Sequence, residues 1–236
     1  MKISYELQVE AEFHIGAGLS RPGVADELIV IRPDGQLVIP AEHIRGLLRD
    51  ACTQILFWTG KEKECCKASL QKAPTEAERQ GVLETCGLNF RQSQSPCVLC
   101  RLFGTTFTPK SYHFSDAELV NDELMKKSGR RVSTHNRIDP FTGRVPMDLL
   151  FSFEVGNPAK FRGEIERRGK HPDPAELVEE VGLLVAGLRL IERVGKRSAR
   201  GWGWCQVKNI TLTGIGGTWE SVLKAYLEGE ATVSQK

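Results

Sequence analysis

Five of the seven cysteines fall between residues 59 and 110: the adjacent pair Cys65-Cys66, then Cys86, then Cys97-Val98-Leu99-Cys100. Four thiolates drawn from such clusters suit one tetrahedral zinc ion, with Zn–S distances near about 2.3 Å. The expected set is Cys86, Cys97, Cys100 and either Cys66 or Cys65, because two adjacent residues do not easily reach the same ion. Structural zinc supplies folding free energy directly. That would explain how a segment rich in charge and without a sustained apolar period keeps its shape. Ordinary buried thiols and a redox pair are the alternatives. A redox CxxC normally opens a helix behind a core strand, and Pro96 before the pair with Arg101-Leu102-Phe103-Gly104 after it does not give that pattern cleanly. Cys52 and Cys205 sit on a helix face and in a strand, where a thiol is a packing residue.

A second constellation is Gly195-Lys196-Arg197-Ser198-Ala199-Arg200-Gly201-Trp202-Gly203. Glycines let a backbone approach closely and adopt positive φ, peptide N–H groups can cradle phosphate oxygens, and Lys196, Arg197 and Arg200 bring charge. Trp202 and Trp204 add stacking surface. A third is the run from Lys126 through Arg130, Arg131, His135, Asn136 and Arg137 to Arg144, in which Asp139 is the one acidic residue. A long basic hairpin of this kind can grip a polyanion; a solvated connector and an exposed loop are the plainer readings of these two segments.

Regular elements have to position these groups. Ile3, Tyr5, Leu7, Val9, Ala11 and Phe13 alternate with polar residues, so 2–14 is expected to be a half-buried strand. A hairpin over 28–39 turns at Pro33-Asp34-Gly35, Pro40 ends it, and a helix is expected over 41–58 with Ile44, Leu47, Leu48, Ala51, Ile55 and Leu56 on one face. Strands are expected at 111–120 and 145–155, a helix at 174–193, a closing strand at 202–214 and a short helix from Trp219 to Leu227. Strand, helix, two strands, helix, strand is the ferredoxin-like order. The fold class is therefore α+β, with one antiparallel sheet and its helices on one face. The 236 residues, 40% hydrophobic and 26% charged, exclude collagen-like and mostly disordered chains. No apolar stretch approaches the roughly 18 residues of a membrane helix, and no basic-then-apolar start suggests a secretory signal. A cytoplasmic protein with no membrane partner is expected. With 32 basic residues against 30 acidic ones and a net charge of +2, the distribution of charge matters more than its sum.

In this order the pieces become recognisable. The chain resembles the RAMP superfamily of CRISPR-associated proteins, and within it the backbone subunits of prokaryotic type III effector complexes. The matching pieces are His14-Ile15-Gly16-Ala17-Gly18, then Val24-Ala25-Asp26-Glu27-Leu28-Ile29-Val30-Ile31-Arg32, and Leu37-Val38-Ile39-Pro40 running into Ile44-Arg45-Gly46-Leu47-Leu48-Arg49. Cys97 to Gly104, Asn136-Arg137-Ile138-Asp139 with Thr142-Gly143, and Arg197-Ser198-Ala199-Arg200-Gly201-Trp202-Gly203 complete the series.

The resemblance implies a single RNA-binding domain over 1–236 with a modified ferredoxin-like (RRM-like) fold. It would carry a zinc-binding insertion at about 59–110 and a projecting thumb hairpin at about 121–146. CRISPR guide RNA, complementary target RNA and other effector subunits are the implied partners. His43, Arg45, Arg49, Arg137, Lys196, Arg197, Arg200, Gly201 and Trp202 are the implied RNA contacts. Where the family has a small Gly-Ser run before the helix, this chain has Ala41-Glu42-His43, and His43 would hydrogen-bond a phosphate in its place. Asp26 stands where the family carries an aspartate associated with metal-dependent cleavage of target RNA, which implies a divalent cation such as Mg2+ beside the structural Zn2+. A non-catalytic binding subunit is the alternative. A guide-processing endoribonuclease is a third reading, opposed by the lack of a histidine in the 195–203 segment.

Overall fold

The computed structural model describes residues 1–61, 96–104, 109–120, 129–145, 150–169 and 172–229. In chain order they form β1 (Lys2–Val9), β2 (Val38–Ile39), α1 (Ala41–Trp58), α2 (Val98–Phe103), β3 (Tyr112–Phe114), β4 (Ala117–Leu119), β5 (Arg130–Asn136) and β6 (Leu150–Gly156). These are followed by β7 (Ala159–Arg167), α3 (Pro174–Leu190), β8 (Cys205–Thr213) and α4 (Trp219–Glu228).

The alternation at the start of the chain makes β1 a two-faced strand that buries Ile3, Tyr5, Leu7 and Val9. Its centrality follows, because β7 runs antiparallel along one side from Lys2↔Glu166 to Val9↔Ala159 and β8 along the other. The main sheet has the order β2-β4-β7-β1-β8, with β3 also paired to β7, and every pairing is antiparallel. With β3 and β4 together filling one strand's place, this is the ferredoxin-like arrangement. Pro40 closes β2 and opens α1 at φ −59, an angle that suits both. Spacings of three and four put Ile44, Leu48, Ala51, Cys52, Ile55 and Leu56 inward, where α1 packs on α2 and α3, and α3 packs on α4 and β8.

A buried carboxylate ties α2 into this core. Glu180 of α3 accepts from Tyr112 Oη at 3.0 Å, from Arg167 Nε at 3.2 Å and from Arg101 Nε at 3.2 Å, so one anion is shared by donors from β3, β7 and α2. Removing either arginine takes away part of the charge compensation of a buried carboxylate.

The structure corrects the sequence reading in several places. The first strand stops at Val9, and only the isolated pair Phe13↔Gly156 continues it. The 28–39 hairpin shrinks to the bridge Ile31↔Leu37 and the two residues of β2. The strand expected at 145–155 begins at Leu150 and belongs to a separate ribbon, in which β6 pairs with β5 from Arg130↔Gly156 to Asn136↔Leu150. Its place in the main sheet is taken by β7, an element the sequence reading passed over. The second helix ends at Leu190. Cys97 and Cys100 do not lie in an irregular segment: Cys97 stands at the N-terminal end of α2, and Cys100 is fully buried. Residues 62–95 and 105–108 of the expected insertion, including Cys65, Cys66 and Cys86, and residues 121–128 and 146 of the expected thumb, lie outside the described residues.

Candidate nucleic-acid interface

The glycine-rich segment leaves α3, doubles back and enters β8. Val194 N–H donates to Gly203 O at 2.9 Å and Cys205 N–H to Glu192 O at 2.9 Å, which close its neck. The turn is then stitched to the chain behind β1, because Lys196 N–H donates to His14 O at 2.8 Å and Gly203 N–H to Glu12 O at 2.7 Å. Gly195 is required here. Its φ is +80, and a Cβ would run into the His14 carbonyl. His43 supplies the remaining anchor, its Nε2 accepting the Gly195 N–H at 2.9 Å. Burial lowers the His43 pKa, which favours the neutral ring this bond needs.

Arg197 adopts φ 63, which a non-glycine residue holds only when its surroundings insist. What insists is an aromatic wall: the guanidinium carbon lies 3.6 Å from the centroid of Phe153 and 5.6 Å from that of Trp202. Its Nη1 is buried and finds no hydrogen-bond partner among the described residues. Desolvation and the neighbouring Arg200 both lower the Arg197 pKa. His135 of β5 packs 5.4 Å from Trp202 and 5.9 Å from Phe153. Desolvation, then Arg197, Arg200 and Arg131, push its pKa down. Arg193 stacks 3.9 Å over Trp204 and donates to Ser198 O. The turn is therefore a rigid cationic surface backed by aromatic rings, with Arg200 and Gly201 exposed at its tip.

Asp26 is exposed, and it is fixed. Its Oδ2 accepts from Ser152 N–H at 2.7 Å and from Ser152 Oγ at 2.8 Å, while its own N–H donates to Ser152 O at 3.0 Å. These bonds, the backbone one foremost, hold its carboxyl below the usual carboxylate range. Residues 26–27 thus lie along β6, with Glu27 in an isolated parallel bridge to Phe153. Successive side chains of an extended segment point to opposite faces. Glu27 accordingly reaches His14 and Lys196, and Asp26 reaches Ser152. The ribbon separates the cationic turn from the Asp26 carboxylate.

Of the other expected contacts, Arg137 is exposed beyond the end of β5, and Arg45 and Arg49 are half-buried on α1, with Arg49 Nε unpartnered among the described residues. His14, Glu27, Ser152 and Phe153 were not singled out as site residues from sequence, and His135 was marked only as part of the basic run 126–144. Phe153 carries the period-two signal of a core strand, and nothing in its type or spacing marks it as the support of an arginine 44 positions away. Among the described residues no group of three or more His, Cys, Asp or Glu side chains forms a metal cluster, and three of the five candidate zinc thiols lie outside them.

A ferredoxin-like sheet with a rigid cationic, aromatic-backed turn at one end has the chemistry of a nucleic-acid-binding protein. The sequence matches the RAMP superfamily over residues 6–206, and the chain belongs to that family of CRISPR-associated RNA-binding proteins. A search of curated proteins finds no match.

Proposed function

We propose that this chain is a guide-RNA-binding backbone subunit of a type III CRISPR effector complex. Base pairing between guide and target RNA supplies sequence specificity, and the protein reads phosphate backbone and shape. The observation that carries the reading is the turn of residues 193–204, held rigid by His14 and His43 and lined by Phe153, Trp202 and His135. Lys196, Arg197, Arg200, Gly201 and Trp202 contact the guide from this turn, His43, Arg45 and Arg49 from α1, and Arg137 from the ribbon.

Asp26 serves cleavage of the bound target. The RNA 2′-hydroxyl attacks the adjacent phosphorus, the P–O5′ bond breaks, and a cyclic phosphate and a 5′-hydroxyl result. The protein's part is to align the attacking oxygen with the leaving one. The exposed, ionised Asp26 carboxylate is suited to position a divalent cation, or the attacking hydroxyl through a hydrogen bond, since Mg2+ is commonly bound by one or two carboxylates plus phosphates and water. Such a cation would neutralise charge developing on the phosphate. The non-catalytic alternative draws support from the two Ser152 donors that already occupy Oδ2. In an assembled complex, Asp26→Ala should abolish divalent-dependent cutting of complementary RNA while guide and target affinity persist. Cutting at the wild-type rate would overturn the assignment, and an uncut target in the wild type would establish the binding-only subunit.

A structural zinc held by Cys86, Cys97, Cys100 and Cys66 or Cys65 belongs to the same proposal. Cys97 and Cys100 are three residues apart at the start of α2, a spacing that puts both on one side of a helix. Metal analysis of protein purified without chelator should find about one zinc per chain; finding none removes this part.

A further inference from the structure

Lys196 does not reach into solvent alone. Its Nζ pairs with Glu27 Oε2, and that same oxygen lies 3.3 Å from Nε2 of the fully buried His14. The three groups converge over Gly16: the point a Cβ would occupy there is 3.2 Å from His14 Nε2 and 3.4 Å from both Glu27 Oε2 and Lys196 Nζ. A Cβ there would press on the His14 ring and touch the other two groups, so the absence of a side chain gives this cluster its room.

The segment that carries the carboxylate is anchored. Glu27 N–H donates to Ser152 O at 3.2 Å and Glu27 O accepts Glu154 N–H at 2.9 Å, so its backbone is part of the ribbon. The His14 ring is itself held, with Nδ1 2.7 Å from Glu154 O. Lys196 first, and His14 after it, keep the Glu27 carboxyl below the ordinary glutamate range. A negative charge rooted in the ribbon and paired with Lys196 therefore stands beside a turn whose other groups are cationic. A backbone phosphate moving onto Lys196 meets that charge at close range, where repulsion is not yet screened by salt.

We propose that Glu27 is a built-in counter-charge, which occupies Lys196 in the free protein and tempers the affinity of this turn for single-stranded nucleic acid. The inference rests on the RNA-binding reading of the same turn. Phosphates are then gripped first by Arg200 and Arg197, and Lys196 is recruited only by a strand already held elsewhere along the interface. An ammonium has three donors, so the opposite role, in which Glu27 aims Lys196 at the phosphate, is chemically reasonable; the two roles predict effects of opposite sign.

The test uses the full chain, a labelled oligouridylate of about 20 nucleotides and a salt series starting near 0.05 M. Glu27→Gln keeps the shape and removes the charge; it should tighten binding about five- to tenfold at low salt and steepen the dependence of log K on log salt by about 0.7, the value for one further phosphate on a single strand. Lys196→Gln in the Glu27→Gln background should cancel the gain. Glu27→Ala, which removes the charge by a different side chain, should tighten binding as well, and a thermal melt of each variant confirms that it is folded. Weaker or unchanged binding in either folded Glu27 variant overturns the inference, as does a gain that survives loss of Lys196. If the wild type and all variants bind no RNA, the RNA-binding reading itself fails, which is a separate outcome.

Discussion

The open face of the main sheet and the turn at its end are built from the same residue types and do opposite things with them. On the open face Lys2 meets Glu164 at 2.7 Å, Arg162 meets Glu6 at 2.6 Å and Arg32 meets Glu118 at 2.6 Å, while Asn209 and Lys208 donate to Glu6 and Gln8. Among the described residues no Phe, Tyr or Trp is presented there: Tyr5, Tyr112, Phe114 and Phe161 all point into the core. At the turn, by contrast, Arg197 and Arg193 lie on aromatic rings, and Arg200 is exposed with no ion pair among the described residues. A ferredoxin-like sheet can bind RNA on its open face when aromatics stack the bases. Here that face is neutralised and lacks those rings, which is why the proposed RNA contact is placed at the sheet's end. Charge count does not make an interface; unpaired charge on a rigid support does.

Charge reversal at the two places should break or confirm that contrast with the largest effect. Arg197→Glu with Arg200→Glu should weaken binding of single-stranded RNA by about 30-fold or more near 0.1 M salt and flatten the salt dependence by about 1.4, the value for two lost phosphate contacts. Lys160→Glu with Arg162→Glu changes the net charge equally, and affinity should stay within about twofold. Equal losses from the two pairs, measured by fluorescence anisotropy, would mean that the protein attracts RNA through its overall field.

A smaller effect separates rigidity from charge. Gly195→Ala places a side chain at φ +80 against the His14 carbonyl, and the left-handed conformation alone costs about 1–2 kcal/mol. At this chain length each kcal/mol lowers the melting temperature by about 2–4 °C, so calorimetry should register the change while every cation is still present. His43 carries a pH signature of the same anchor. Its folded pKa is lowered by burial, so its contribution is present above the ordinary histidine value and is lost as pH falls through the lower folded value. The protection factor of the Gly195 amide, taken relative to its intrinsic exchange rate, should fall across that window, and His43→Gln should remove this pH dependence of protection.

How much of this was legible in the sequence depended on whether neighbours or distant partners decide the outcome. The limits of α1 follow from Pro40 and from apolar residues three and four apart, and the structure reproduces them at Ala41–Trp58. The cationic turn was legible because glycines and arginines are adjacent in the chain. Strand β7 was not, although its residues alternate: Ala159 and Gly163 stand on its buried side, and Gly163 is small because the Tyr5 ring crosses it. Packing across the sheet wrote that residue, and a single strand does not reveal it. The Glu27–Lys196 pair joins residues 169 apart and His43 meets Gly195 across 152, so neither is visible without the fold. For Asp26 the resemblance supplied the position but not its fixation, since Ser152 lies 126 positions away.

The least dramatic expectation concerns the open face. Arg162 and Glu6 form a close pair, and Arg162 together with Asn209 pulls the Glu6 pKa below its ordinary value. Both side chains keep contact with solvent, and exposed ion pairs contribute only about 0.2–1 kcal/mol in double-mutant cycles. A cycle of Arg162→Ala, Glu6→Ala and the double variant, read by urea denaturation, should therefore give a coupling within that range. Because the folded-state pKa of Glu6 is depressed, the coupling is present above its unfolded value and disappears as pH falls through the folded one. Salt of about 1 M, with a screening length near 3 Å, should remove most of it. A coupling several times larger would mean that the open face is desolvated and held as a structural network, and the contrast with the turn would then be one between two rigid surfaces rather than between a neutralised one and an unpaired one.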